Sequence, residues 1–389
     1  MIKTVYLDNS ATTPICDEAL EVYCKTSKEQ YGNPSSLHSF GFEAEKVLNS
    51  ARERILSSLS AKGSTAVFTA SGSEANNLAI IGRAYAKERY KRGAKIITTE
   101  GEHASVDSPL ERLSGEGFRI VKIPTVGGKI DMDKLRSELT SDVILVSMMM
   151  VNNETGALYD LAAVSSLMKR SCPEALLHAD CTQSYLKIPF TKQSIGADLL
   201  TLSSHKIEGP KGVGALIIDE KVIKNKGLSA LILGGGQEGG LRSGTENVPG
   251  VAAFAEAARI GLSELRARYT KMKGLRELLI SRIKEEETLF EISPTLPESH
   301  APHILNLTLP GIRSETMLHY LSSLGVYVSS GSACSSNSHH SSSSLVAYGR
   351  SADEADSSIR ISLSHRNTEE DVDIFISALC SGIKKLQRK

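Results

Sequence analysis

The sequence has no excess of either charge, no long hydrophobic run and no closely spaced cysteine pair. Its 45 Lys and Arg residues balance 45 Asp and Glu residues, which argues against a basic nucleic-acid surface or a polybasic membrane patch. The longest apolar run, residues 143–151, is too short to span a bilayer. The N-terminal residues MIKTVYLDNS reach Asp8 before an apolar segment forms, so no secretory signal is expected. We therefore expect a soluble cytoplasmic protein with no direct nucleic-acid or membrane partner.

The cysteines are scattered and include no C-x-x-C pair. Without a secretory signal, a disulfide framework is not expected in a chain of 389 residues. Most should be small buried hydrophobic residues, and the surrounding sequence has to show whether one is reactive. The six cysteines are Cys16, Cys24, Cys172, Cys181, Cys334 and Cys380.

Between residues 64 and 220, short β-rich runs alternate with helical patterns such as 73–90 and 161–171. This alternation predicts βαβ units and an α/β fold with a mainly parallel, seven-stranded sheet. The β-rich runs are 65–70, 94–100, 118–124, 143–149, 175–180, 199–204 and 214–219.

The pattern changes after residue 250. Apolar residues recur at helical spacing over 251–290, which predicts one long or two shorter amphipathic helices. Shorter strands and helices follow, with strand patterns at 303–309, 326–330 and 357–363. We expect a large domain over 16–257 and a smaller α+β domain formed by 1–15 and 258–389.

Polar segments follow several predicted strand ends, where open α/β sheets bind ligands. Residues 199–206 end in Ser203, His205 and Lys206. A lysine desolvated at the mouth of a strand becomes a nucleophilic amine that can form a Schiff base. A surface lysine in a β-turn is the alternative interpretation.

Another strand ends at Asp180, with Gln183 three residues later. A carboxylate at this position suits the pyridinium nitrogen of pyridoxal phosphate (PLP). An aspartate that caps a turn would give the same sequence pattern. His103 also follows a strand and could stack on a cofactor ring, whereas a lone histidine is more often structural.

Two further segments contain features typical of phosphate binding. Ser71, Gly72 and Ser73 lie between a strand and a helix, where free N–H groups bind phosphate, but an ordinary serine N-cap is common there. The glycine-rich loop 234–250 contains Thr245, and glycines allow the backbone to approach a ligand closely. Together these segments supply the residue types of a PLP site. The sequence has no Walker A or G-x-G-x-x-G motif that would indicate a different nucleotide-binding site.

The sequence resembles cysteine desulfurases of the NifS/IscS type, in the class V aminotransferase group of fold-type I PLP enzymes. The resemblance runs nearly end to end and includes ten segments in one order. These are YLDNSATTP (6–14), YGNPSSLH (31–38), SGSEANN (71–77), EHAS (102–105), VNNETG (151–156), HADCTQS (178–184), SSHKIEGPKGVGAL (203–216), GGGQEGGLRSGTENVPG (234–250), SSGSAC (329–334) and SSIRISL (357–363).

The resemblance implies a role for each candidate residue. Lys206 would carry PLP, Asp180 would pair with the ring nitrogen, Gln183 would bond the ring hydroxyl, and His103 would stack on the ring and help to move protons. The phosphate would be held by Gly72, Ser73, Ser203 and His205, and by Thr245 from the partner subunit of a homodimer. Asn153, beside the cofactor, and Arg360 would bind the carboxylate of L-cysteine, since the guanidinium fork suits a carboxylate.

The implied nucleophile is Cys334. Its thiolate would attack the sulfur of the bound cysteine, release alanine and leave an enzyme persulfide. The sulfur would then pass to an acceptor protein, such as an iron–sulfur scaffold or a tRNA-thiolation relay. No metal is expected. The mechanism requires a mobile thiol, so residues 335–344 should be poorly ordered or displaced without a partner.

Three positions depart from the family pattern. Ser71–Glu74 replaces a usual Gly-Ala-Thr-Glu, Cys181 replaces a small apolar residue, and NSHHSSSS follows the Ser-Ala-Cys-Ser-Ser motif. The chain also lacks the R-x-G-H-x-C context of the other desulfurase branch. Alternative functions are a selenocysteine lyase, another class V lyase or aminotransferase, or a non-catalytic scaffold for sulfur transfer. A metal site at Cys334, His339 and His340 has an unusual ligand spacing for zinc.

Overall fold

The computed structural model describes residues 3–86, 94–330 and 342–387. The strands are β1 (Val5–Tyr6), β2 (Ser64–Thr69), β3 (Lys95–Thr99), β4 (Arg119–Ile123), β5 (Val143–Met149), β6 (Leu176–Asp180), β7 (Leu199–Ser203), β8 (Gly214–Asp219), β9 (Ser293–Pro294), β10 (Ile304–Thr308), β11 (Val326–Tyr327), β12 (Ser329–Ser330) and β13 (Ser358–Ser362). The helices are α1 (Asp17–Glu29), α2 (Ser39–Ser58), α3 (Gly72–Tyr85), α4 (Ala104–Gly115), α5 (Met132–Glu138), α6 (Leu161–Ser171), α7 (Lys192–Ile195), α8 (Glu220–Lys224), α9 (Val248–Glu285), α10 (Ser314–Ser323), α11 (Ser343–Tyr348), α12 (Ala352–Asp356) and α13 (Glu369–Leu386).

A seven-stranded sheet forms the larger part of the molecule, in the order β2-β8-β7-β6-β5-β3-β4. β8 is antiparallel to β2 and to β7, whereas the other neighbouring strands are parallel. The prediction of an α/β fold with a mainly parallel seven-stranded sheet is therefore confirmed. Because only β8 is reversed, the carboxyl ends of the other six strands lie along one edge of the sheet.

Helices cover both faces of this sheet, which explains why its strands appear in the sequence as continuous apolar runs. Successive side chains of a strand point to opposite faces. In β7, Leu199 belongs to a hydrophobic cluster with Val106 of α4, whereas Leu200 belongs to a cluster with Phe254 of α9. Every position of such a strand is therefore buried.

The segment predicted as one long or two shorter helices is the single helix α9, 38 residues long. The side chain of Asn247 accepts a hydrogen bond from the N–H of Gly250 at 3.1 Å and caps its start. Phe254 packs on the large sheet, whereas Leu279 and Ile283 pack in a second cluster with α13. The helix thus connects two hydrophobic cores.

The second core lies against a four-stranded antiparallel sheet, in the order β12-β13-β10-β9. The strand predicted over 326–330 is split into β11, which pairs with β1, and β12, which pairs with β13. Asp8, just after β1, bridges to Ser362 of β13. This pairing brings the N-terminal segment and β13 to the carboxyl edge of the large sheet.

Two further features concern the helices: the extent of α3, and whether any helix could cross a membrane. The described part of the helix predicted over 73–90 begins at Gly72 and ends at Tyr85. Among the helices of the three described ranges, none is both long enough and apolar enough to cross a membrane.

Candidate active site

A cavity of about 410 Å³ lies at the carboxyl edge of the large sheet, and the small sheet contributes its far side. Thr245 is exposed and is not among the residues that line it. Cys334, His339 and His340 lie outside the described residues. The remaining candidates from the sequence all line this cavity: Gly72, Ser73, His103, Asn153, Asp180, Gln183, Ser203, His205, Lys206 and Arg360.

Asp180, the last residue of β6, presents its carboxylate at the cavity. The carboxylate accepts hydrogen bonds from Asn76 Nδ2 at 2.8 Å and from the backbone N–H of Thr182 at 2.9 Å. Sequence reasoning had missed Asn76. It lies on α3, three residues after Ser73, and this helical spacing from the candidate phosphate site could have indicated it.

Asn76 also connects Asp180 to His103. Its Nδ2 donates to Ser105 Oγ at 2.8 Å, and Ser105 Oγ lies 2.8 Å from His103 Nδ1. The backbone N–H of Ser105 also donates to Nδ1, at 3.1 Å. Nδ1 is therefore an acceptor, and the neutral ring carries its proton on Nε2. Burial lowers the pKa of His103, which favours this neutral form.

Lys206 lies in a 3₁₀ turn, Ser204–Lys206, that directly follows β7. Its Nζ donates to the carbonyl oxygens of Ser10 at 2.5 Å and of Ala11 at 2.8 Å. The N-terminal segment thus positions the amine at the cavity. Sequence reasoning had matched this segment to a family motif but had given Ser10 and Ala11 no role.

The neighbouring His205 is also neutral. Burial and, to a lesser extent, the charge of Lys206 lower its pKa to about 4. Its Nδ1 lies 3.1 Å from Thr12 Oγ1. A neutral imidazole at the cavity can donate a hydrogen bond to an anion without carrying a charge of its own.

The start of α3 forms a narrow pocket suited to a small anion. Ser71 is the N-cap, and its side chain accepts from the N–H of Glu74 at 3.1 Å. A Cβ atom at Gly72 would lie only 3.2 Å from Ser203 Cβ and 3.3 Å from Thr182 Oγ1. Glycine therefore keeps the space in front of the free N–H groups of the first turn, where phosphate binds well.

Arg360 of β13 forms the opposite side of the cavity and is 4% exposed. One terminal nitrogen donates to the carbonyl oxygen of Asn153 at 3.0 Å, and the other donates to Asp8 Oδ1 at 2.9 Å. A guanidinium has five N–H donors, so most of them stay available to a ligand.

Several buried polar atoms that line the cavity have no hydrogen-bond partner among the described residues. Because buried polar groups are normally paired, four such atoms around one cavity indicate a polar ligand. These atoms are Ser10 Oγ, Asn76 Oδ1, Asn153 Oδ1 and Arg360 Nε.

Both ends of the undescribed segment 331–341 are attached beside the cavity. Before it, Ser329 lines the cavity and pairs with Arg360 across the small sheet. After it, Ser342 Oγ donates to the carboxylate of Glu154, and Ser344 Oγ donates to the carbonyl oxygen of Gly101 at 2.8 Å. The expectation of poor order in 335–344 is therefore wrong for residues 342–344, which are buried or helical; the rest lies outside the described residues.

Cys181 is a buried structural thiol. It is fully buried in the core below the large sheet and does not line the cavity. Burial raises its pKa, so it stays a thiol near neutral pH.

The chain belongs to the class V aminotransferase family, whose model matches residues 5–375. It is 36% identical over 384 residues to cysteine desulfurase IscS 1 of Archaeoglobus fulgidus, an alignment that covers 98% of this chain and 97% of that protein. A NifS-like protein of known structure superposes with a TM-score of 0.90 at 35% identity, over 99% of this chain and all of that chain. A structure of SspA in complex with cysteine superposes with a TM-score of 0.80 at 29% identity, over 94% of this chain and all of that chain.

Enzymes of this family use PLP. The residues of the cavity fit this cofactor, because they combine a phosphate-sized pocket at Gly72, a carboxylate at Asp180 and an amine at Lys206. The unpartnered Asn76 and Asn153 oxygens supply further polar contacts.

Proposed function

We propose that this chain is a PLP-dependent cysteine desulfurase, a transferase that converts L-cysteine to L-alanine and collects the sulfur as a persulfide on Cys334. The observation that carries the proposal is the attachment of both ends of segment 331–341 beside the cavity. The name of the Archaeoglobus fulgidus relative and the complex of SspA with cysteine support the same reaction and substrate.

Residues of the large sheet would hold the cofactor. Asp180 would face the ring nitrogen, Gln183 the ring oxygen and His103 the ring face. Lys206 would provide the amine that binds PLP covalently. Gly72, Ser73, Ser203 and His205 would hold the phosphate. When bound, PLP supplies an electron-poor ring that stabilises negative charge on the substrate carbon.

Arg360 and Asn153 would orient the substrate. Asp8 and the Asn153 carbonyl already fix the guanidinium, so its remaining N–H groups can bind a carboxylate with little loss of side-chain entropy. This geometry would direct the α-carbon of L-cysteine toward Lys206.

Lys206 would accept the α-proton at Nζ, because its amine is held at the cavity by Ser10 and Ala11. His103 would donate from Nε2, the nitrogen left with a proton when Nδ1 accepts from Ser105. The Asn76 and Ser105 side chains fix the ring and so keep this donor in place.

Cys334 would supply the nucleophile. It follows Ser329, which lines the cavity, by five residues, so an extended chain would place it at most about 18 Å from that residue. Its thiolate would attack the substrate sulfur and form an S–S bond. The Cβ–Sγ bond would break, its electrons would stay on the substrate carbon, and protonation there would give alanine.

The test measures alanine and sulfide released from L-cysteine in the presence of a reducing thiol. Cys334→Ala should abolish sulfide release while the cofactor absorbance near ~400 nm persists, and Lys206→Ala should remove both. Cys380→Ala is the control, since Cys380 is distant from the cavity and should matter to neither readout. Sulfide release by Cys334→Ala at the wild-type rate would overturn the persulfide step.

We also propose a homodimer in which Thr245 reaches the phosphate of the partner subunit. Large apolar side chains are exposed near this loop and near the start of α2, including Leu233 at 82% and Leu37, which is fully exposed. Exposed apolar groups in such number favour a protein interface. The expected division into residues 16–257 and residues 1–15 with 258–389 is supported by the two cores that α9 connects.

The sulfur acceptor would be another protein, such as an iron–sulfur scaffold, and the site of action the cytoplasm. The cysteines of the described ranges are all free, which suits a reducing compartment.

A further inference from the structure

Lys187 is a buried lysine behind the cavity that has no role in the reaction proposed above. Its side chain is 8% exposed, and Nζ donates to Gln183 Oε1 at 3.2 Å. In the described part of the chain, no carboxylate lies within ion-pair distance of it. Glu208, the acid whose charge acts on it, is bonded to Arg268 and Arg366 instead.

A tight helical turn after β6 brings this lysine back to Gln183. The N–H of Tyr185 donates to the carbonyl oxygen of Cys181 at 2.8 Å, and the N–H of Ile188 donates to that of Ser184 at 3.0 Å. Residues four apart in such a turn lie on the same side of it. Lys187 therefore contacts the Gln183 side chain and cannot reach solvent.

This contact determines which end of the Gln183 amide faces the cavity. The protonated Lys187 Nζ has only N–H donors, and in the structure it donates to the amide oxygen. The amide nitrogen then donates to the carbonyl oxygen of Ser10 at 2.9 Å, and one N–H remains. The same Ser10 oxygen also accepts a hydrogen bond from Lys206 Nζ. The orientation of the Gln183 amide and the position of the Lys206 amine therefore depend on one carbonyl oxygen.

We propose that Lys187 is a positioning residue that holds Gln183 with an amide N–H, and not its carbonyl oxygen, toward the ring oxygen of PLP. The proposal rests on the PLP-dependent function proposed above. Without Lys187, only the bond to the Ser10 carbonyl would hold the amide orientation, and the rotated amide, with its oxygen toward the ring, would be populated more often. An acceptor facing the ring oxygen would repel it, and the cofactor would bind more weakly.

Lys187 also destabilises the fold, which supports a functional role. Burial lowers its pKa to about 7; Lys206 and Arg360 act in the same direction, and Glu208 opposes them. At Lys187 the unfolded chain therefore binds more protons between about pH 7 and the ordinary lysine pKa of about 10.4, so the contribution of this residue to stability should rise with pH across this window. A residue whose only role was to stabilise the fold would not lower the free energy of unfolding in this way.

The experiment compares the apo proteins of wild type and Lys187→Met in urea unfolding and in titration with PLP. At pH 7 we expect a higher urea midpoint for the variant, because a buried amine without a carboxylate partner is removed, and a PLP dissociation constant raised about tenfold, equivalent to one lost hydrogen bond. The difference in stability between the variant and the wild type should shrink between pH 7 and 10, because the wild type no longer carries a buried charge there. Lys187→Leu gives the same readouts if the methionine variant does not fold.

Two comparisons make the result decisive. Lys192→Met is the matched control, since Lys192 is buried but paired with Asp219 at 2.7 Å; it should lower stability and leave PLP affinity unchanged. In a Gln183→Leu background, Lys187→Met should weaken PLP binding no further, because its effect passes through Gln183. Wild-type PLP affinity in Lys187→Met, or an equal loss in both backgrounds, would overturn the positioning role. Failure of the wild type to bind PLP would instead overturn the proposed function.

Discussion

The two sides of the cavity are held in place in different ways. On the large-sheet side, Asp180 and Lys206 follow the ends of neighbouring parallel strands, β6 and β7, and Asp180 is bonded to the adjacent helix α3. On the small-sheet side, Arg360 depends on Asp8 from the N-terminal segment and on the Asn153 carbonyl. The first side is built on the strand ends of one sheet, with the N-terminal segment holding the Lys206 amine, and the second is a junction of three chain segments.

This difference suggests a division of labour. A cofactor that stays bound through many turnovers needs fixed partners, and the ends of parallel strands supply them. A substrate enters and leaves in each turnover, so its site has to form again each time. The small-sheet side also leads into the segment that contains Cys334. Cofactor binding and substrate binding should therefore be separable by mutation.

The largest expected effect comes from the large-sheet side. Asp180→Asn should lower kcat by about 10²–10³-fold, since it removes the charge that we propose to face the ring nitrogen while keeping the shape of the side chain. Steady-state alanine production measures this effect, and the absorbance of bound PLP serves as the control for retention of the cofactor. A kcat within tenfold of wild type would show that Asp180 does not tune the cofactor.

On the small-sheet side, the effect should fall on KM. Arg360→Lys should raise the KM for L-cysteine about 10- to 100-fold, because an ammonium cannot bond Asp8, the Asn153 carbonyl and a carboxylate in the same planar geometry. PLP affinity should stay at the wild-type value, which titration of the apo protein measures. Weaker PLP binding in this variant would contradict the separation of the two sides.

The smallest effect should come from Cys181, which follows Asp180 directly but lies in the core. Cys181→Ala should cost about 1–2 kcal/mol of unfolding free energy, the result of a small cavity, and leave alanine production within about twofold of wild type. Urea unfolding and steady-state kinetics measure the two quantities. A large loss of activity would indicate that the large-sheet side depends on core packing beneath Asp180.

Much of the large-sheet side could be predicted from the sequence. Apolar runs covered on both faces locate β6 and β7, and polar residues at their ends follow from the rule that ligands bind at the carboxyl edge of such sheets. Asn76 could have been found from helical spacing. Lys187 could not, because it lies between the apolar residues Leu186 and Ile188, and this pattern does not show which side chain its amine contacts.

On the small-sheet side, the strands could be predicted from the sequence pattern, but the roles of Arg360 and Asn153 came only from the family resemblance. Residues 326–330 read as one strand, yet they divide between two sheets, because β1 from the other end of the chain pairs with the first half. Local patterns carry no information about a partner more than 300 residues away.

The sequence by itself determined the α/β class, the seven central strands and the residue types of a PLP site. The reason is that the burial of a strand and the polar residues at its end can both be recognised within a few consecutive residues. Only the tertiary structure decided the hydrogen-bond chain from Asp180 through Asn76 to His103, the fixation of Arg360 by Asp8, and the burial of Lys187 against Gln183. Each of these depends on which surfaces pack together, and the direction of a hydrogen bond is set only once both partners have been brought within reach.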